Sequence, residues 1–363
     1  MLRIEDAPDN SSSRCRKRRG KARECEGEVS ARLRLRRKRS GEGQLERLRR
    51  LESWLEENGG VLDTPIEEMT SLSLDGRHLT ELPPDLHLLS RLKHLKLSWN
   101  RLRSIDGVEQ MRGLRHLHLW HNRLTALPPK CLIAFERLEV LNVDNNFLTK
   151  LCPEIRYLIN LHTLELNQNK LSSLPSEIRF LTQLEVLNVR ENQLESLPEE
   201  LPPSLTSLDL FHNMLTHLPD DFGALTSLRK LTLRFNRLRS LPPTFGNLVS
   251  LRILHVDQNY LTSLPKSISN LKYLQSMNLW HNRLKTLPWQ IGRLPLLDDL
   301  YIGGGNCLDV DGDLNKMRWD GDGLIAYFKR AASAEENIQR DLTEVGLAKH
   351  LGEAIMKLGW GHP

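Results

Sequence analysis

The chain has 363 residues, of which 39% are apolar and 27% are charged, a composition typical of soluble folded proteins. No stretch approaches the roughly 18 uncharged apolar residues that a membrane-spanning helix needs. The first ten residues contain acids where a secretory signal would have its apolar core. The five cysteines are scattered and odd in number, which argues against a disulfide-stapled secreted domain. An intracellular protein with reduced thiols is therefore expected.

Residues 1–42 form a strongly basic segment with 14 Lys and Arg against 7 Asp and Glu, and they are predicted to be a disordered arm. The clusters Arg16–Arg19 and Arg34–Arg39 fit a nuclear-import signal, a binding segment for nucleic acid or anionic lipid, or a solvated tail. The arm contains no aromatic residue for base stacking, so nucleic acid is not the expected partner. The expected location is the cytoplasm, and the basic arm leaves the nucleus as the alternative.

Residues 43–68 are predicted to form a helix that caps the amino-terminal end of the fold. Four leucines follow helical spacing, at Leu45, Leu48, Leu51 and Leu55. Gly59 and Gly60 then end the pattern, as glycines commonly do after a helix.

Residues 69–308 contain eleven copies of the pattern LxxLxLxxNxL at spacings of 21 to 24 residues. The hexapeptide LWHNRL even occurs twice, from Leu119 and from Leu279. A nearly constant period of this length indicates a solenoid, in which each repeat buries its apolar side against its neighbours. Repeats 1 to 11 begin, in order, at Met69, Leu92, Leu114, Leu138, Leu161, Leu184, Leu205, Leu228, Leu251, Leu274 and Leu297.

Each repeat is predicted to contain a short strand, a turn and an outer segment. The leucines at the fourth and sixth positions are two apart, which is the period of a strand with one buried face. Nine repeats have Asn at the ninth position, where its amide can bond the backbone of the turn, and the exceptions are Arg77 and Gly305. The following LPxxIxxL predicts a short helical turn, whereas LPEELPPSL from Leu197 predicts an extended segment.

This pattern resembles the leucine-rich repeat superfamily. The 23-residue form, as in LPSEIRFL from Leu174 to Leu181, is similar to the intracellular Ras-group class, which includes the Ras suppressor protein and related scaffolds. RSIDGVEQMRGL, from Arg103 to Leu114, is similar to the phosphatase-regulator class. The resemblance implies an α/β leucine-rich repeat solenoid, a curved horseshoe with a concave parallel β-sheet and a short helical or extended convex side. It implies a protein-binding scaffold and no catalytic residue.

The third, fifth, seventh and eighth positions of each repeat are predicted to face away from the core on the concave side. Large aromatic residues at such positions are typical of interfaces. Ten steps of about 4.8 Å give an inner face of roughly 48 Å, which suits a folded domain or a long peptide. The candidate partner-binding residues are His94, Lys96, Trp99, His116, His118, Trp120, His121, Phe211, His212, Arg234, Phe235, Trp280, His281 and Tyr301. Some of these rings can alternatively pack on the next repeat.

Residues 309–363 are predicted to close the other end of the solenoid. GLIAYFKR, from Gly323 to Arg330, should form a short apolar cap helix. A second amphipathic helix is predicted after it and would either fold back on the cap or bind a partner. Its apolar residues are Ile338, Leu342, Val345, Leu351, Ile355 and Leu358.

Three sharper interpretations have little support. His94, His116 and His118 would be near neighbours and could hold zinc, but no cysteine joins them. Asp309 to Asp320 partly matches a calcium loop, yet Leu314 stands where that loop needs Gly. Cys307-Leu308-Asp309 is similar to the Cys-x-Asp of bacterial ubiquitin-ligase effectors, but the surrounding catalytic domain is missing. No metal, cofactor or catalytic residue is therefore predicted.

The sequence thus predicts a non-enzymatic interaction scaffold in intracellular signalling that binds a protein on its concave face. The resemblance implies a Ras-like GTPase or a phosphatase as the partner class. The competing interpretation is a regulatory subunit that acts through its basic arm or its last helix, and a ligase-type effector is the weakest. The sequence does not indicate an oligomeric state.

Overall fold

The computed structural model describes residues 43–60, 65–83, 85–306, 325, 326, 328–330 and 332–334. The chain divides into two compact units, Met1–Asn58 and Gly59–Pro363. The basic arm, the calcium-like loop, Cys307 and the predicted last helix lie outside the described residues.

The first compact unit contains helix α1, residues 43–57. A helix was predicted here from the leucine spacing, and these leucines fall on one helical face. At its end the side-chain amide of Asn58 donates to the carbonyl of Trp54 at 2.8 Å. Gly59, which opens the second compact unit, then adopts φ +73°, a left-handed conformation that favours glycine. The capping role of α1 stays a prediction.

The second compact unit contains one parallel sheet of eleven strands in the order of the sequence. The strands are β1 (Ser71–Ser73), β2 (His94–Lys96), β3 (His116–His118), β4 (Val140–Asn142), β5 (Thr163–Glu165), β6 (Val186–Asn188), β7 (Ser207–Asp209), β8 (Lys230–Thr232), β9 (Ile253–His255), β10 (Ser276–Asn278) and β11 (Asp299–Tyr301). One strand comes from each predicted repeat, and corresponding positions pair, as in Leu208 with Leu231. The sheet is therefore built by the repeat itself.

The leucine pattern explains which side of each strand is buried. Leu208 and Leu210 of repeat 7 are 1% and 0% exposed, while Ser207 and Asp209 between them are half-buried on the other side. The same alternation in the other repeats, except at Thr232 of repeat 8, which is also buried, joins the buried leucines into one core behind the sheet. The third and fifth positions consequently form the opposite, concave face.

Buried asparagines connect neighbouring repeats, as predicted. The Oδ1 of Asn169 accepts from the N–H of Leu148 in the preceding repeat at 2.9 Å. Its Nδ2 donates to the carbonyls of Val143 and Leu166 at 3.0 and 3.1 Å. Each such amide satisfies backbone groups that the turn leaves without partners.

The prediction that repeat 11 has Gly305 in place of this asparagine was wrong. Asn306 makes the equivalent bonds, accepting from Leu284 N–H and donating to the carbonyl of Leu279, both at 3.0 Å. The three glycines before it add one residue to the turn, which shifts the asparagine out of the expected position. Arg77 in repeat 1 is a true exception, and its backbone N–H donates to Asn100 Oδ1.

The convex side consists mainly of short 3-10 helices. They are η1 (Ile66–Glu68), η2 (Leu86–Leu88), η3 (Pro153–Tyr157), η4 (Ser176–Phe180), η5 (Asp220–Ala224), η6 (Pro243–Asn247), η7 (Lys266–Asn270) and η8 (Trp289–Arg293), with the α-helix α2 (Pro129–Ala134) between β3 and β4. Among the described residues no helix lies between β6 and β7, where the proline-rich LPEELPPSL occurs. The predicted fold class, a solenoid with a concave parallel sheet and a helical or extended convex side, is confirmed.

The described residues between 325 and 334 are helical, and their role in closing the solenoid stays a prediction. A Cβ added to Gly292 of η8 would collide with the backbone carbonyl of Phe328, so the helix backbone passes directly over this glycine. Ile325 and Phe328 are buried there, at 8% and 5% exposed. Within the described residues, no helix is long and apolar enough to cross a membrane.

Candidate functional site

The concave face displays the candidate residues from two kinds of backbone position. The third and fifth positions lie in the strands, and the seventh and eighth lie in the segment that follows each strand. In repeats 2 to 10 the eighth residue has φ between 49° and 58°. This left-handed conformation costs most residues about 1 kcal/mol or more, and Asn, as at Asn145, tolerates it best. Trp99 and Phe235 adopt it with bulky side chains, so their presence at this position carries an energetic cost.

Trp99, Trp120 and His121 form the first aromatic cluster, at the ends of β2 and β3. The two indoles meet edge to face with ring centroids 5.0 Å apart, and His121 lies 3.7 Å from Trp99. Trp99 is still 48% exposed and Trp120 37%. The rings therefore support one another and leave a large apolar surface in contact with solvent.

His94, His116 and His118 lie beside this cluster on β2 and β3. The rings of His94 and His116 are 4.5 Å apart, and those of His116 and His118 are 6.4 Å apart. Burial lowers the pKa of both His94 and His118, and the neighbouring His116 lowers it further. Across the described part of the chain, no three His, Cys, Asp or Glu side chains are placed to hold a metal ion.

Phe211, His212, Arg234 and Phe235 form the second cluster, in repeats 7 and 8. The phenyl rings meet edge to face at 5.6 Å. The guanidinium of Arg234 lies 5.1 Å from the Phe235 centroid and 5.9 Å from that of Phe211. A guanidinium held against aromatic faces is a common binding element, because it presents charge with little freedom left to lose.

A buried carboxylate that the sequence did not reveal supports this arginine. Asp257 is 1% exposed, and its Oδ2 lies 2.7 Å from the Nε of Arg234, an ion-pair contact without hydrogen-bond geometry. Burial raises the pKa of Asp257, and Arg234 opposes that shift. The equivalent residue Asp144 accepts the next repeat's backbone N–H, whereas the N–H of Trp280 is taken by Asn278. Arg234 is thus the main group that compensates the burial of the Asp257 carboxylate.

Trp280 and His281 form the third cluster, with ring centroids 3.9 Å apart. A Cβ at Gly304 would collide with the Trp280 indole, so this ring packs on the glycine backbone of repeat 11. Trp280 nevertheless remains 41% exposed. Tyr301 is 55% exposed on β11, and no ring contact joins it to Trp280 among the described residues. Lys96 is exposed on β2.

Repeats 4 to 6 separate the first two clusters and present a polar network. Asp144 Oδ1 accepts from the N–H of Asn167 at 2.6 Å, and Glu165 accepts from the amides of Asn167 and Asn188 at 3.1 and 2.7 Å. Burial is the main cause that raises the pKa of Asp144 to about 6. The polar groups of this region are largely satisfied by one another, in contrast to the exposed rings on either side.

The comparisons with known proteins agree with this architecture. A family model described as "Leucine rich repeat" matches residues 67–124, 136–194 and 249–308. A two-copy model, "Leucine Rich repeats", matches residues 112–156, and a single-repeat model matches residues 204–225 and 227–248. The matched ranges run through most of the solenoid.

Similar solved structures include a leucine-rich repeat protein of Leptospira interrogans, with a TM-score of 0.63 and 33% identity over 68% of this chain and 69% of that one. The ectodomain of an Arabidopsis thaliana membrane receptor kinase, solved in complex with Casparian strip integrity factor 2, has a TM-score of 0.57 and 29% identity over 62% of this chain and 31% of that one. Among curated relatives, an anion-channel subunit of Rattus norvegicus is 33% identical over 23% of this chain and 10% of its own length. The alpha subunit of rat geranylgeranyl transferase type-2 is 38% identical over 24% of this chain and 15% of its own. The chain thus spans only a small part of these curated relatives.

Proposed function

The chain belongs to the leucine-rich repeat family, and from this premise we propose that it is a non-enzymatic scaffold whose concave face binds a protein partner. Proteins of this family serve as protein–protein interaction scaffolds. The observation that carries the proposal is the set of ring clusters on the concave face, in which Trp99, Trp120 and Trp280 remain 48%, 37% and 41% exposed.

The physical reason is the free energy of removing these rings from water. Burying apolar surface stabilises a complex by roughly 25 cal/mol per Å², and aromatic residues dominate the energetics of many interfaces. Trp99 and Phe235 also occupy left-handed positions that Asn or Gly would fill at lower cost. Retaining bulky rings there is explained if they contribute to binding.

The test is affinity capture from a cell lysate at moderate salt with the triple variant Trp99→Ser, Trp120→Ser and Trp280→Ser. A matched control replaces three exposed aromatics outside the concave face, Tyr157, Phe180 and Tyr273, also with Ser. Both proteins must show the far-ultraviolet circular dichroism of the original chain. We expect the concave variant to lose at least about 100-fold in affinity for a recovered partner, since each hot-spot ring is worth about 1–2 kcal/mol or more. Equal recovery by both variants would contradict the proposal.

The finer part of the proposal is that the partner is a Ras-like GTPase or a phosphatase, acting in intracellular signalling. Its support is the resemblance of the 23-residue LPxxIxxL repeats and of the segment from Arg103 to Leu114 to those two repeat classes. Direct titration with a Ras-like GTPase, loaded with GDP or with a non-hydrolysable GTP analogue, tests the first class. Titration with a phosphatase catalytic subunit tests the second. Absence of saturable binding in both titrations would remove this part and leave the scaffold role intact.

A further inference from the structure

A groove of about 490 Å³ runs along one flank of repeats 6 to 11, where the strands end. Its lining comes from the eighth, ninth and tenth positions of successive repeats, with buried asparagines at the ninth. We call it the flank groove and define it by His212, Phe235, Arg237, Tyr260, His281 and Arg283. The tenth-position residues Arg237, Tyr260 and Arg283 are exposed and belong to none of the concave clusters.

The flank groove is positively charged. Its lining contains two arginines and two histidines and no Asp or Glu. Arg239 and Lys285, two residues beyond Arg237 and Arg283, are also exposed and extend the charge along the flank. Among the described residues, no ion pair with a carboxylate is formed by Arg237, Arg239, Arg283 or Lys285. Their charges are therefore available to a ligand.

The floor of the flank groove provides few free polar groups. The asparagine amides at its base are used by the backbone, as in Asn236, which accepts from Leu215 N–H at 3.0 Å and donates to Leu210 O at 2.8 Å. Phe235 and Tyr260 contribute apolar surface and are 38% and 43% exposed. A matching ligand thus needs carboxylates for the arginines and an apolar side chain for the rings.

The position of Arg283 distinguishes a peptide from a nucleic acid. Its guanidinium lies 4.4 Å from the centroid of the Tyr260 ring and covers one face of it. A nucleic-acid strand gains much of its affinity by stacking bases on open aromatic faces. Because Arg283 covers one face of the Tyr260 ring, that face is not open to a stacking base. The same guanidinium can still bind a carboxylate through two parallel hydrogen bonds.

The repeat spacing fixes the spacing of the ligand's acids. Arg237 and Arg283 occupy the same position two repeats apart, so they are separated by about 9.6 Å along the stack. An extended polyproline II segment returns to the same side every three residues, after about 9.3 Å. We propose that the flank groove binds an extended acidic segment of a partner protein, with acidic residues three apart on Arg237 and Arg283 and an apolar residue against Phe235 and Tyr260.

The test uses a fluorescein-labelled nonapeptide that repeats Glu-Pro-Leu three times, with the full chain and fluorescence anisotropy. A second peptide has Gln for Glu, and a third has the same composition with its three acids adjacent. We expect the first peptide to bind at least about tenfold tighter than the Gln peptide, and several-fold tighter than the third. Arg237→Gln with Arg283→Gln should weaken its binding about tenfold, since each exposed pair is worth up to about 1 kcal/mol.

A matched control replaces Arg101 and Arg123 with Gln. These residues have the same position in repeats 2 and 3, far along the stack from the groove, and the net charge change is the same. This variant should bind the peptide as the original chain does. Trp99→Ser with Trp120→Ser should do so too, which separates this proposal from the one on the concave face.

Three results would overturn the proposal. One is equal affinity for the Glu and Gln peptides, and another is an equal loss in the Arg101/Arg123 and Arg237/Arg283 variants. The third is tighter binding of a thymidine nonamer than of the Glu peptide, lost in the Arg237/Arg283 variant, which would make a nucleic acid the occupant.

Discussion

Repeats 2 and 3 and repeats 4 to 6 have the same backbone and opposite concave surfaces. In both regions the strands pair in the same register, and a buried asparagine joins each repeat to the one before. Yet repeats 2 and 3 expose Trp99 and Trp120, while repeats 4 to 6 present Asp144, Glu165 and Asn167 bonded to one another or to backbone. The positions that define the fold are thus separate from those that define the surface.

This difference determines where a protein partner gains free energy. A partner that covers the polar network must replace hydrogen bonds to water around groups that already satisfy one another, and the net gain is small. A partner that covers the rings removes apolar surface from water at little polar cost. Contact should therefore concentrate at the ring clusters, with the central repeats acting as a spacer that sets the distance between them.

The largest expected effect tests whether the two regions share one scaffold. Asn122→Ala in repeat 3 and Asn169→Ala in repeat 5 should each lower the free energy of unfolding by about 3 kcal/mol, because each leaves buried backbone groups without partners. Asn122 accepts from Leu102 N–H and donates to the carbonyl of Leu97, as Asn169 does with its own neighbours. Urea denaturation followed by circular dichroism measures both.

Asn145→Ala is the matched control, because this asparagine is exposed and only adopts the left-handed turn conformation. Its loss should be about 1 kcal/mol or less. If Asn122→Ala and Asn169→Ala differed by more than about 1.5 kcal/mol, the two regions would not be energetically equivalent, and the scaffold would not be uniform in the sense of a repeat array.

The sequence predicted most of the scaffold because the residues that determine the fold recur at nearly constant intervals. The leucines at the fourth and sixth positions and the asparagine at the ninth identify each strand and turn without reference to distant residues. The one error, Gly305, arose where three glycines lengthened a turn by a residue, so that Asn306 took the structural role. The repeat period thus predicts where each repeat begins, but it does not reveal a one-residue insertion within a turn.

The surface was less predictable, since it depends on side chains from different repeats. The pairing of Trp99 with Trp120 follows from strand adjacency, but the burial of Asp257 beneath Arg234 does not, because an Asp at this position in repeat 4 is only half-buried. The flank groove also required the structure. Arg237 and Arg283 were visible in the sequence, but the open channel between them is a property of the turns.

A smaller expected effect is a difference between the two regions in how the free energy of unfolding depends on pH. Burial raises the pKa of Asp144 from its ordinary 3.8 to about 6, so its stabilising contribution is complete below 3.8 and is lost as pH rises through about 6. Asp144→Asn keeps an acceptor for the Asn167 N–H and removes the buried charge. The variant should therefore be more stable than the original chain by roughly 1 kcal/mol at pH 8, after allowance for partial exposure, and nearly equal to it at pH 4. Urea denaturation at both pH values measures the difference, and a variant less stable at pH 8 would contradict this account.

The smallest effect has the opposite sign and belongs to repeats 2 and 3. Burial lowers the pKa of His118 below its ordinary 6.5, and the adjacent His116 and Lys96 add to that shift. A group whose folded pKa is depressed contributes stability above 6.5 that is lost as pH falls through the folded pKa. His118→Gln should therefore reduce the loss of stability between pH 7.5 and pH 5 by about 0.5 kcal/mol, since His118 is only half-buried. Combined with Asp144→Asn, it should flatten the pH profile from both sides, because the two side chains lie in different repeats and titrate in opposite senses. If the free energy of unfolding of His118→Gln fell between pH 7.5 and pH 5 as steeply as that of the original chain, this histidine would not cause the loss of stability in acid.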